Sequence, residues 1–98
     1  MCVPEVLPKP TGLSVKRTEE GNCLLWDTIP EIDGWNIRLY NEEYPSGKKI
    51  MEIPKGQTWW TDTENSEEVS YAVEAVRNVG EGSQFSGYCK VVKVQEKN

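Results

Sequence analysis

Acidic side chains are the main candidates for chemistry in this sequence, because its 98 residues include no histidine. The commonest general base and commonest nitrogen metal ligand are therefore missing, and neither a Ser-His-Asp nor a Cys-His site can form within the chain. Acids occur in pairs at Glu19-Glu20, Glu42-Glu43 and Glu67-Glu68. Glycosidase chemistry needs two carboxyls facing each other across a cleft, and all three pairs fall in predicted turns of a chain too short to build one. Asp62, Glu64, Glu67 and Glu68 crowd one loop and could offer oxygens to calcium. Their spacing lacks the glycine and alternating acids of a calcium loop, so a solvated acidic corner is expected. No catalytic, metal-binding or cofactor-binding residue is expected, and no cofactor.

Cys2, Cys23 and Cys89 are too few for a disulfide scaffold, and their odd number leaves at least one unpaired within a monomer. The net charge of -5 and the isolated basic pairs Lys16-Arg17 and Lys48-Lys49 exclude the basic stripe of a nucleic-acid binder. No run approaches the ~20 apolar residues of a membrane-spanning helix. Met1-Cys2-Val3-Pro4 does not open like a signal peptide, so an export signal for a secreted parent protein would lie outside this segment.

The elements that must position these residues read as β throughout. Turn residues separate seven short segments, and none carries a sustained helical period. Pro4, Pro8 and Pro10 keep the opening extended, so residues 1–10 are read as a linker, 11–95 as the domain and 96–98 as a tail. Leu13 and Val15 alternate with Ser14 and Lys16, and Glu19-Glu20-Gly21-Asn22 turns the chain into a strand whose Leu24 and Trp26 share one face. Trp35, Ile37 and Leu39 alternate with Asn36, Arg38 and Tyr40. Ile50–Ile53 forms a short strand between turns at Pro45–Lys48 and Pro54–Gly56. Strand alternation lets only one of Trp59 and Trp60 face inward. Tyr71, Val73 and Ala75 form the next inward set, Asn78–Ser83 reads as an exposed hairpin loop, and a last strand runs from about Phe85 to Val94. The expected core is Leu13, Leu24, Trp26, Trp35, Ile37, Trp60, Tyr71, Val73 and Ala75. Trp26 stands at its centre, where a buried indole removes about 150–250 Å² from water.

In order and spacing these signals resemble a fibronectin type III domain over nearly the whole chain. The carrying residues are Pro10–Val15, Leu24–Asp27, Gly34–Ile37, Thr61–Thr63, Tyr71–Val76 and Asn78–Ser83 leading to Ser86. The resemblance implies an all-β, seven-stranded immunoglobulin-like sandwich of fibronectin type III topology, two facing sheets without a disulfide. It makes Tyr71 the corner tyrosine, its hydroxyl bonded to an upstream backbone group. Asn65 stands where the family usually has leucine, which with Thr61-Asp62-Thr63 resembles the bacterial versions. First and last strands can be neighbours in this fold, so a Cys2–Cys89 bridge is conceivable, with separate thiols preferred.

An outward Trp59 would be a sticky point for a protein or a sugar ring. Family members often bind ligands through the loop joining the last two strands, here Asn78–Gln84, making Val79, Glu81 and Gln84 candidate surface residues. That loop lacks Arg-Gly-Asp, and the Trp-Ser-x-Trp-Ser signature of cytokine-receptor modules is absent. The resulting expectation is a monomeric, non-catalytic spacer module of a multidomain bacterial protein, extracellular or at the cell surface, such as a polysaccharide-degrading enzyme. Its expected partners are the flanking domains of the same polypeptide, with protein or polysaccharide as further candidates and neither nucleic acid nor membrane insertion. A protein- or glycan-binding adhesion module and a phage virion or tail module are the alternatives.

Overall fold

The computed structural model describes residues 7–65 and 69–94, with Val79 described by its backbone alone. Among the described residues the chain is entirely β, in eight strands: β1 (Ser14–Arg17), β2 (Asn22–Leu25), β3 (Gly34–Tyr40), β4 (Lys48–Pro54), β5 (Trp59–Asp62), β6 (Ser70–Val79), β7 (Gly82–Phe85) and β8 (Val92–Lys93). Every pairing is antiparallel. One sheet has the order β1-β2-β5; the other has β4-β3-β6-β7, with β8 also on β6.

The expected single last strand is interrupted, so eight strands replace seven. β7 and β8 share one edge of β6, and the chain between them bulges at Gly87, whose φ of 84° suits glycine. Two ladder donors of β6 there find side chains: Ala75 N donates to Ser86 Oγ at 2.8 Å and Val73 N to Cys89 Sγ at 3.4 Å. Backbone bonding resumes from Ser86 N to Ala75 O and from Cys89 N to Val73 O, each 3.0 Å. The expected Asn78–Ser83 loop is instead mostly strand, with Gly80-Glu81 turning between β6 and β7; Asn78 pairs with Ser83 and Val79 with Gly82.

Alternation delivers the core. Val15, Leu24 and Trp60 lie side by side across the first sheet. They face Trp35, Ile37 and Leu39 of β3, which pair with Ala75, Val73 and Tyr71 of β6. Trp26 is 3% exposed and packs edge-to-face on Trp35, with ring centroids 5.8 Å apart. Leu13 and Trp60 are only partly buried and lie against the core cluster. Leu13 precedes β1, and β5 is an edge strand that covers Trp60 from one side only. Leu7, assigned by sequence to the linker, belongs to the core cluster, as do Ile32, Ile53, Val69 and Val94. The packed body thus begins before Thr11.

The chain crosses this body from end to end. Thr11 O accepts a hydrogen bond from Asp27 N, just beyond the end of β2. Val94 N donates to Val69 O beside Tyr71, whose hydroxyl reaches Asn22 at the start of β2. Residues 11 and 94 therefore lie at opposite ends of the sandwich.

Candidate binding surface

Of the residues singled out as a surface from sequence, Trp59 lies on a different sheet from Val79, Glu81 and Gln84 of the β6–β7 hairpin. Trp59 is 54% exposed on the outer face of the smaller sheet, directly opposite Leu25, which is 53% exposed. Glu81 is exposed at the β6–β7 turn of the other sheet. Gln84 is half-buried, and its Oε1 accepts hydrogen bonds from Arg77 Nε and Nη2 at 3.3 and 3.2 Å, so it serves the hairpin. The Val79 side chain lies outside the described residues.

Among its described members, the acidic corner proves structural at Asp62. Asp62 is 2% exposed; its Oδ2 accepts from Tyr71 Oη at 2.5 Å and Asn65 Nδ2 at 2.7 Å, and its Oδ1 from Glu64 N at 3.0 Å. Asn22 Nδ2 donates to the same tyrosine oxygen at 2.9 Å. Among the described residues the corner tyrosine thus bonds a carboxylate and an amide side chain; the backbone at 66–68, just upstream, lies outside the described residues. Burial first, and then the hydrogen bond to Asp62, push the Tyr71 hydroxyl well above its ordinary pKa. Asn65, where the family usually has leucine, supplies a backbone oxygen to Arg17 Nη1 at 3.0 Å and its amide to Asp62, so polar contacts close this end of the core. Glu67 and Glu68 of the expected solvated acidic corner lie outside the described residues, as does Cys2, so the Cys2–Cys89 pairing is not described. Cys23 and Cys89 are free thiols, and no group of three metal-ligating side chains occurs among the described residues.

The outer face of the larger sheet holds an open recess. Register places Pro54, Gly34, Val76 and Phe85 in one row across β4, β3, β6 and β7. Gly34 contributes no side chain, so the row dips between Pro54 and Val76. The next outward row runs Glu52, Asn36, Glu74. Between these rows, and bounded beyond by Asp33, Asn78 and Ser83, lies an open recess of about 500 Å³. Asn36 is 7% exposed although it points away from the core, and its Nδ2 donates to Glu74 Oε2 at 2.9 Å. Beside it, the Arg38 guanidinium stacks 4.0 Å from the centre of the Tyr88 ring. Burial, and then the charge of Glu74, push the Tyr88 hydroxyl up to about 12. The Arg38–Tyr88 contact holds the bulged segment between β7 and β8 against the sheet, and of these residues Asn36 lines the recess.

Sequence reading missed the recess. Its residues come from four strands and share no motif; only the period-two pattern of β3, with Gly34 and Asn36 outward, hinted at part of it.

No family model and no curated protein sequence matches the chain. Solved structures do. A Fn3-like protein from Clostridium thermocellum superposes with a TM-score of 0.77 at 21% identity, over 96% of this chain and 97% of that one. A pectate lyase from Pectobacterium carotovorum (TM-score 0.60, 17% identity) is matched over 78% of this chain and 24% of the lyase. A rhamnogalacturonan lyase (TM-score 0.60, 19% identity) is matched over 93% of this chain and 15% of the lyase. The fold thus recurs both as nearly a whole chain and as a minor part of larger enzymes. With two facing antiparallel sheets, a core that packs Trp26 on Trp35, and these likenesses, the chain has the fibronectin type III-like fold.

Proposed function

We propose that this chain is a non-catalytic spacer module of a larger, secreted or surface-exposed bacterial protein acting on polysaccharide, holding flanking domains apart at a fixed geometry. The observation that carries the reading is the path of the chain, which enters at the Asp27 end and leaves at the Val69 end of one rigidly packed core. Anything attached before residue 7 and after residue 94 is then separated by the length of the sandwich. The absence of histidine throughout the sequence, and the use of Asp62 in an internal hydrogen-bond network, support a role without turnover. The likeness to minor parts of two polysaccharide lyases supports the setting.

The test is a fusion with one folded reporter domain at each end, measured by small-angle scattering, beside turnover assays of the isolated chain on pectate, rhamnogalacturonan and xylan. A single narrow inter-domain separation with no turnover is expected. A broad distribution of separations, or turnover by the isolated chain, overturns the proposal.

A further inference from the structure

The recess on the larger sheet combines an apolar shelf with neutral hydrogen-bonding side chains, a pairing the spacer role does not need. Phe85 is 53% exposed on one side, and Pro54 and Val76 continue the shelf across the gap left by Gly34. Its charged groups are already engaged: Lys49 Nζ lies 2.9 Å from Glu52 Oε2, and Asp33 Oδ2 accepts from Asn78 N at 2.7 Å. What remains open are amide and hydroxyl functions. Asn36 uses its Nδ2 toward Glu74, and among the described residues no hydrogen bond reaches its carbonyl oxygen. Ser83 Oγ donates to Asn78 Oδ1 at 3.1 Å, and among the described residues no side chain accepts from the Asn78 amide nitrogen at the rim.

We infer that this recess binds a neutral saccharide, one or two sugar rings lying on the Phe85–Val76–Pro54 shelf with their hydroxyls meeting Asn36 and Asn78. A pyranose ring presents C–H bonds on its face and hydroxyls around its rim, which matches an apolar floor bordered by amides. The two carboxylates at the recess face a single ammonium, in a chain of net charge -5, and this field opposes a carboxylated sugar. A cationic peptide would find no unengaged carboxylate. The recess volume of about 500 Å³ falls within the range of small-ligand sites. The inference goes beyond the spacer role and does not depend on it.

The experiment is a nitrogen-15 NMR titration of the whole chain with cellohexaose, xylohexaose and mannohexaose, and separately with trigalacturonate and a lysine-rich peptide. At least one neutral hexaose is expected to shift the side-chain amides of Asn36 and Asn78 and the backbone amide of Phe85. Phe85→Ala is expected to weaken that binding by about tenfold or more, while Trp59→Ala leaves it unchanged. Phe85 is more than half exposed, so its truncation preserves the fold, which an unchanged spectrum away from the recess verifies. The inference is overturned if no neutral hexaose shifts these signals at millimolar concentration, if trigalacturonate or the peptide binds there more tightly, or if Trp59→Ala rather than Phe85→Ala abolishes binding. None of those outcomes alters the inter-domain separation that tests the spacer role.

Discussion

Replacing Tyr71 with phenylalanine removes one oxygen from the closed end of the core and leaves two buried groups short of a partner. The ring is fully buried, and its hydroxyl donates to Asp62 and accepts from Asn22, themselves 2% and 0% exposed. No bulk water reaches them to substitute. Asp62 keeps its bonds from Asn65 and Glu64, and Asn22 Oδ1 keeps its bond from Arg17, so the network is weakened rather than dismantled. A lost bond to a buried charged acceptor costs about 1–3 kcal/mol. For a domain of this size that lowers Tm by about 4–20 °C. Urea unfolding followed by tryptophan fluorescence, with circular dichroism as a second probe, measures it. The pH dependence isolates the hydroxyl. Because the folded state holds the Tyr71 proton above the ordinary tyrosine value of about 10, the unfolded chain loses that proton first. The stabilisation is complete below pH ~10 and falls as pH rises through the folded value, by about 1.4 kcal/mol per pH unit. The variant should lose this part of the alkaline slope and retain the parts contributed by Tyr88 and Arg38, which are also raised. A cost under about 0.5 kcal/mol, or an unchanged alkaline slope, would refute the assignment of the Tyr71–Asp62–Asn22 network as a structural clasp.

Other substitutions separate core from surface. Trp26→Ala should cost about 3–5 kcal/mol, a large share of a small domain's stability, through the cavity left against Trp35; an undiminished urea midpoint would show that the indole is not a core element. Trp59→Ala should cost less than about 1 kcal/mol, since it removes one exposed cross-strand pair with Leu25, and the same unfolding assay ranks the two tryptophans directly. Gly21→Ala should destabilise by more than about 1 kcal/mol, because Gly21 has a φ of 145° and an added Cβ would collide with the Asp62 carbonyl oxygen; a neutral result would contradict that close approach.

Much of the sandwich was legible because strand alternation is a local property. Leu24 with Trp26, Trp35 with Ile37 and Tyr71 with Val73 each announced an inward face within a few residues, and the structure buries all six. Val15 and Leu39 lay in the same patterns and are buried too, although neither was placed in the expected core. Errors arose where burial depends on distant chain. Leu7 looked like linker because nothing nearby reveals the core edge it covers. Trp60 was placed in the core, yet its strand lies at a sheet edge and it is only partly buried. The last strand read as continuous, because the replacement of ladder acceptors by Ser86 Oγ and Cys89 Sγ follows from the Gly87 bulge rather than from hydrophobic pattern.

By itself the sequence determined the all-β class, the inward alternation and the lack of histidine-based chemistry, since composition and period two are written along the chain. Only the tertiary structure decided that Tyr71 would clasp a carboxylate, and that Pro54, Gly34, Val76 and Phe85 would form one row beside Asn36. Both depend on register between strands far apart in sequence, and one residue of slip would turn each side chain to the opposite face.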